Sequence, residues 1–141
     1  MIEKTKTNSL KTVEWRENKV IMIDQTKLPN KLEFVELIDY HQVADAIKNL
    51  VVRGAPVIGV SGAFGMALAV LQSNAQTKND LIKDLEEAKN ILIKTRPTAV
   101  NLMWALEKIM TVALKCSDVS EIKKLVIDTA KKWQMKMFKQ T

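Results

Sequence analysis

Histidine, cysteine and tyrosine each occur once in the 141 residues, as His41, Cys116 and Tyr40. A lone cysteine excludes an internal disulfide, and the Cys–Cys and Cys–His spacings that tetrahedral zinc requires are missing. This cysteine usage suits a reducing cytoplasm. No run of about 18 uninterrupted apolar residues occurs, and the polar, lysine-bearing start from Met1 to Leu10 has no apolar block behind it. Neither a membrane span nor a secretory signal is expected. The usual nucleophilic and acid–base arrangements are poorly represented. His41 sits near the start of an amphipathic helix and reads as a polar surface residue. Cys116 has only Lys115 beside it among basic groups and reads as an inert thiol. Of the four glycines, Gly59, Gly62 and Gly65 follow no strand and precede no Gly-Lys-Ser/Thr, so they do not form a nucleotide-binding loop.

What is present, 47% hydrophobic and 27% charged residues, is the balance of one soluble globular domain spanning 1–141. The net charge of +6 raises the question of a polyanionic partner. Most lysines stand singly among acids. The local excess of Lys123, Lys124, Lys131, Lys132, Lys136 and Lys139 reads as a solvated helix face. No nucleic-acid or membrane partner is expected.

Residues Thr12 to Arg16 and Lys19 to Ile23 are short and rich in β-branched side chains, and Glu17-Asn18 between them suits a tight hairpin. Val13 and Trp15 share one face. Phe34 to Ile38 forms a third strand after Leu28-Pro29-Asn30, where proline prevents a strand from continuing. The period then becomes helical. After Asp39 as N-cap, the stripe Val43, Ala44, Ile47, Leu50 and Val51 predicts a helix ending near Arg53-Gly54. Pro56 opens the next, apolar nearly all round to Leu71 and therefore buried, with glycines that point to closely approaching neighbours. Asn79 caps a third helix with Leu81, Leu85, Ala88 and Leu92 inward. Thr95-Arg96-Pro97-Thr98 breaks it and starts a fourth, with Ala99, Leu102, Met103, Leu106, Ile109, Met110 and Ala113 facing in. Trp104 and Trp133 are read as core. Asp118 with Glu121 resembles a capping box for a fifth helix carrying Ile122, Leu125, Val126 and Thr129. The fold class expected is α+β, mainly α: a small three-stranded antiparallel sheet over 12–38, then a bundle of about five helices over 40–137.

Two junctions in this scheme look alike. Arg53-Gly54-Ala55-Pro56 and Arg96-Pro97-Thr98 each place an arginine at the mouth of a helix, where unpaired N–H groups and the helix dipole favour an anion. An arginine fork beside such a terminus suits phosphate. A solvated arginine paired with a nearby acid or with the carbonyls of a preceding helix explains the local pattern as well.

The strings that contain these junctions also resemble a family. Val52-Arg53-Gly54-Ala55-Pro56-Val57-Ile58-Gly59 resembles the Arg-Gly-Ala-Pro-Ala-Ile-Gly signature of methylthioribose-1-phosphate isomerases, and Thr95-Arg96-Pro97-Thr98-Ala99-Val100-Asn101-Leu102 resembles their second signature. Trp15, Asp24-Gln25 and Leu28-Pro29 are similar to the family's opening. The resemblance implies a role in methionine salvage, where 5-methylthioribose 1-phosphate, an aldose 1-phosphate, becomes the ketose 1-phosphate. It implies no metal and no organic cofactor, and a small-molecule sugar phosphate as the binding partner. It assigns phosphate-holding roles to Arg53, Gly54, Ala55 and Arg96, and it suggests a homodimer.

The resemblance places no catalytic residue in this chain. The family's catalytic cysteine lies in a Thr-x-Cys-Asn-x-Gly loop of a following Rossmann-like α/β domain, and Leu114-Lys115-Cys116-Ser117-Asp118 does not match that loop. The catalytic aspartate belongs to the same domain, which is expected to be absent here and to be supplied, if at all, by a partner chain. The similarity is expected to end near Lys131, as truncation or a frame change would produce, leaving an inactive fragment with apolar surface exposed. The regulatory subunits of the translation initiation nucleotide-exchange factor, in the initiation factor 2B superfamily, and archaeal ribose-1,5-bisphosphate isomerases resemble the same fold and supply the alternative readings.

Overall fold

The computed structural model describes residues 12–52 and 54–139, with side chains as far as residue 136 in the last helix. Strands β1 (Val13–Arg16), β2 (Lys19–Ile23) and β3 (Phe34–Leu37) form one antiparallel sheet in the order β1-β2-β3. The hairpin between β1 and β2 turns on Glu17 (φ 53°) and Asn18 (φ 64°), two positive-φ residues as a type I′ turn requires. Register follows from that turn. Val13 faces Met22 and Trp15 faces Val20, while Val20 faces Leu37 and Met22 faces Val35. One face is thereby apolar and lies on the helices, where the Trp15 and Phe64 rings meet at 5.6 Å. The other carries Glu14, Lys19 and Glu36, with Lys19 3.6 Å from Glu36.

Five α-helices follow: α1 (Tyr40–Lys48), α2 (Ala55–Gln72), α3 (Lys78–Thr95), α4 (Val100–Lys115) and α5 (Val119–Lys139). Asp39 caps α1, and its side chain with that of Gln42 completes a capping box. The helix stops earlier than its apolar stripe predicts. Leu50 adopts φ 65°, its N–H donates to the Ile47 carbonyl, and the Val51 N–H reaches back to the Ala46 carbonyl. These bonds close a Schellman turn that satisfies the end of α1 and turns Leu50 outward, 41% exposed.

Helix α2 is the centre of the molecule. By length and hydropathy it could cross a membrane, but Ile58 through Val70 are all buried by the surrounding elements, so it is the core helix of this bundle. Its glycines mark close approaches. A Cβ on Gly59 would sit 3.1 Å from the Asn101 carbonyl oxygen of α4, and one on Gly62 would overlap the Leu102 side chain. Because contacts rise together along the two helices, α2 and α4 run parallel and their N-termini open at the same end.

Two helix starts differ from expectation. Thr77 caps α3, its side chain accepting the Asp80 N–H, so Asn79 lies inside the first turn. Pro97 does not open α4. Ala99 is the N-cap, and Arg96 to Thr98 form the connection. The inward faces of α3 and α4 are otherwise as expected, with Leu81, Leu85, Ala88 and Leu92 buried in α3, and Leu102, Ala105, Leu106, Ile109, Met110 and Ala113 in α4. Met103 and Ala99 are only half-buried. In α5, Ile122, Val126, Ala130 and Gln134 are buried whereas Leu125 is exposed, because it stands about 120° from the centre of that buried stripe at 100° per residue. Asp118 accepts the Glu121 N–H at 2.8 Å, and the Glu121 carboxylate takes the Ser117 N–H at 2.6 Å, so the reciprocal half of the box falls one residue early.

Candidate functional site

Five α-helices begin among the described residues, and three are closed by side chains: Asp39 on α1, Thr77 on α3 and Asp118 on α5. The two without a side-chain cap are α2, which starts from Gly54, and α4, which starts from Ala99. These two also pack against each other, through Gly59 and Asn101. In α2 the first intrahelical bond inward is Ile58 N–H to the Gly54 carbonyl. Among the described residues the Ala55 and Val57 N–H groups have no backbone partner, and Pro56 contributes none. In α4 the first such bond is Met103 N–H to the Ala99 carbonyl, leaving the Val100, Asn101 and Leu102 N–H groups unpaired within the helix. Two parallel dipoles bring their positive ends together there, an arrangement suited to an anion.

Gly54 has φ 98°, a conformation that an L side chain rarely adopts. It is exposed, as are Ala55 and Pro56, and among the described residues, Gly54 and its chain neighbours aside, no atom lies within 4 Å of where a Gly54 Cβ would stand. The backbone at this turn is open to a ligand. Arg96 caps the C-terminus of α3, its N–H donating to Ile93, while its carbonyl accepts the Ala99 N–H at 3.0 Å. That bond fixes the Arg96 backbone three residues before the α4 N-cap. Its side chain is half-buried. Arg53 lies outside the described residues.

A groove of about 670 Å³ adjoins the two termini. Pro56 and Gly59 of α2 form one end. Asn101, Trp104, Lys108 and Val112 supply a stripe of α4, and Thr129, Lys132, Trp133 and Lys136 a stripe of α5. Trp104 is 61% exposed rather than core. The reason is rotational: Trp104 stands about 200° around α4 from buried Leu102 at 100° per residue. Trp133 is half-buried in the groove wall. Lys132 and Lys136 are part of the excess that the sequence reads as a solvated face, and Lys108 joins them from α4. The missed signal was a second helical stripe, 101-104-108-112, set off from the core stripe.

The two isolated chemical groups keep the roles their sequence contexts predict. Cys116 is buried, and its thiol donates to the Val112 carbonyl at 3.3 Å. Burial, with the Glu121 carboxylate adding to it, pushes that thiol above its ordinary pKa, so the reactive thiolate is disfavoured. It also stands about 24 Å along α4 from the uncapped terminus, at 1.5 Å per residue. His41 is exposed, 2.9 Å from Asp39 and stacked on Tyr40. Among the described residues, no group of three or more metal-ligating side chains comes together.

Comparison with known proteins bears on the same segment. The model of the initiation factor 2 subunit family matches residues 51–141, which continues past Lys131, where the similarity was expected to end. A methylthioribose-1-phosphate isomerase of Crocosphaera subtropica is 44% identical over 128 residues, covering 90% of this chain and 37% of the relative. One from Geobacter metallireducens is 48% identical over 105 residues, covering 74% of this chain and 30% of the relative. Among solved structures, 5-methylthioribose 1-phosphate isomerase from Pyrococcus horikoshii aligns with a TM-score of 0.83 at 42% identity, over 86% of this chain and 35% of the other. The translation initiation factor eIF-2B subunit delta from A. fulgidus aligns with the same TM-score and identity, over 88% of this chain and 36% of the other. The chain thus spans about a third of the length of the relatives it matches.

Proposed function

The chain belongs to the initiation factor 2 subunit family, and from that membership we propose that it forms the phosphate-holding part of an isomerase acting on 5-methylthioribose 1-phosphate, in the cytoplasmic salvage of methionine. The observation that carries this reading is the pairing of the two uncapped helix termini. Gly54 and Ala55 present backbone N–H groups at the start of α2, α4 presents its own beside them, and Arg53 and Arg96 belong to the connections that lead into those two helices. Phosphate held there is neutralised by guanidinium forks and oriented by fixed donors.

The chemistry that must follow is a ring opening and then a shift of hydrogen from C2 to C1, because a phosphate on the anomeric oxygen prevents the sugar from opening to a free aldehyde. Such a shift needs a proton acceptor and a proton donor near the sugar carbons. Neither Cys116 nor His41 suits either role, since one is buried with a raised pKa and the other is a surface residue at the start of α1. In this reading the reacting groups come from polypeptide outside these 141 residues, as the resemblance implies, and the 141 residues alone do not turn over the sugar.

The test is turnover of 5-methylthioribose 1-phosphate by a protein that joins this chain to the α/β region of a relative, with and without Arg96→Ala. A hydrogen bond to a charged group contributes about 1.5–3 kcal/mol, so loss of the guanidinium should lower kcat/KM by about tenfold to a hundredfold. Unchanged kcat/KM in Arg96→Ala would remove the phosphate assignment. Turnover by the 141-residue chain alone would remove the division of labour.

A further inference from the structure

We propose that the groove between α4 and α5 is a docking site for an acidic amphipathic helix of a partner polypeptide. The inference stands on the groove's shape, charge and apolar floor and does not rest on the isomerase reading. Its α4 wall runs from Asn101 to Val112, about 16 Å at 1.5 Å per residue. That is close to three turns of helix, the usual span of an amphipathic helix laid in a groove through residues one and two turns apart. Trp104, Val112 and Trp133 make the floor apolar. Val100, one turn before Trp104, is likewise exposed and extends the apolar strip toward the helix start.

Charge selects the partner's chemistry. Lys108, Lys132 and Lys136 line the groove, and among the described residues no carboxylate lines it. A basic helix laid there would meet three like charges. An acidic one places leucine-like side chains on the tryptophans and carboxylates beside the ammonium groups. Burial of a large aromatic at the centre with charges around it is the pattern of residues that dominate binding at interfaces.

The experiment follows tryptophan emission of the 141-residue chain during titration with a synthetic peptide of about 20 residues, long enough to be helical by itself, with leucines on one face and glutamates on the other. A peptide with lysines in place of the glutamates is the comparison. Saturable binding of the acidic peptide with a blue shift is expected, weakened at least about tenfold by Trp104→Ala. The double variant Lys132→Glu/Lys136→Glu should lose the acidic peptide and gain the basic one. These side chains are exposed, and circular dichroism confirms that the variants fold. Equal binding of both peptides, indifference to the charge reversal, or the same emission shift from inorganic phosphate alone would each overturn the proposal.

Discussion

Leu50 is the residue whose backbone is least suited to its side chain. It holds φ 65° at the position after the α1 C-cap, where glycine is usual because a Cβ in the left-handed region costs about 1–2 kcal/mol. Its side chain is 41% exposed, so little burial is forfeited by removing it. Leu50→Gly should therefore stabilise the fold by about 0.5–1 kcal/mol after the entropy cost of glycine in the unfolded chain, read as a higher urea midpoint. At the other end of α1, Asp39 shows a pH effect. Burial pushes its carboxyl up, but hydrogen bonds from the His41 backbone N–H and ring, with further help from Gln72, outweigh it and hold the group below its ordinary value. A lowered folded pKa means that the stabilisation is complete above the unfolded value of about 4 and is lost as pH falls through the folded one. Asp39→Ala should cost about 1 kcal/mol at neutral pH. That difference should narrow in thermal melts taken below pH 4, and a gap that widened with acid would contradict the capping role.

At the scale of elements, the packing of α2 on α4 decides both the core and the candidate site. A methyl group on Gly62 would overlap the Leu102 side chain, which is fully buried and must shift to admit it. Gly62→Ala should cost about 1–3 kcal/mol in denaturant unfolding despite alanine's better helix propensity, and an unchanged midpoint would show that the two helices separate freely. Such faces were readable from the sequence because buried side chains recur at 3.6 residues. The hairpin was readable because Glu17-Asn18 leaves two residues between alternating strands. Helix ends were less so. Asn79 and Thr77 are both acceptable caps, and only the closure of Thr77 on Asp80 distinguishes them. Pro97 suits a first helical turn, but the bond from Ala99 N–H to the Arg96 carbonyl begins α4 three residues later. The likeness of the two arginine-bearing junctions was legible as two similar strings. The fact that both termini lack side-chain caps emerges only when all five helix starts are compared in three dimensions.

Across the whole molecule, the sheet is tied to the helices at two places far apart in the chain. Trp15 meets Phe64 at the middle of α2. The Gln134 side-chain amide, buried near the end of α5, donates to the Val13 carbonyl at 3.2 Å, joining the first strand to the last helix across almost the full sequence. The segment around Gln134 was expected to fall outside the family's pattern, yet it packs as part of the fold, because a buried strand-edge carbonyl needs a donor and Gln134 supplies it. Truncation of that amide leaves the carbonyl unsatisfied. Gln134→Ala should destabilise by about 1–3 kcal/mol, seen as a lower urea midpoint with an unchanged slope if unfolding stays two-state. Hydrogen exchange locates the loss more closely. Faster exchange should concentrate in β1, β2 and the last turns of α5, while the centre of α2, enclosed by every other helix, remains protected. Equal acceleration throughout would mean that the sheet and the bundle open only together.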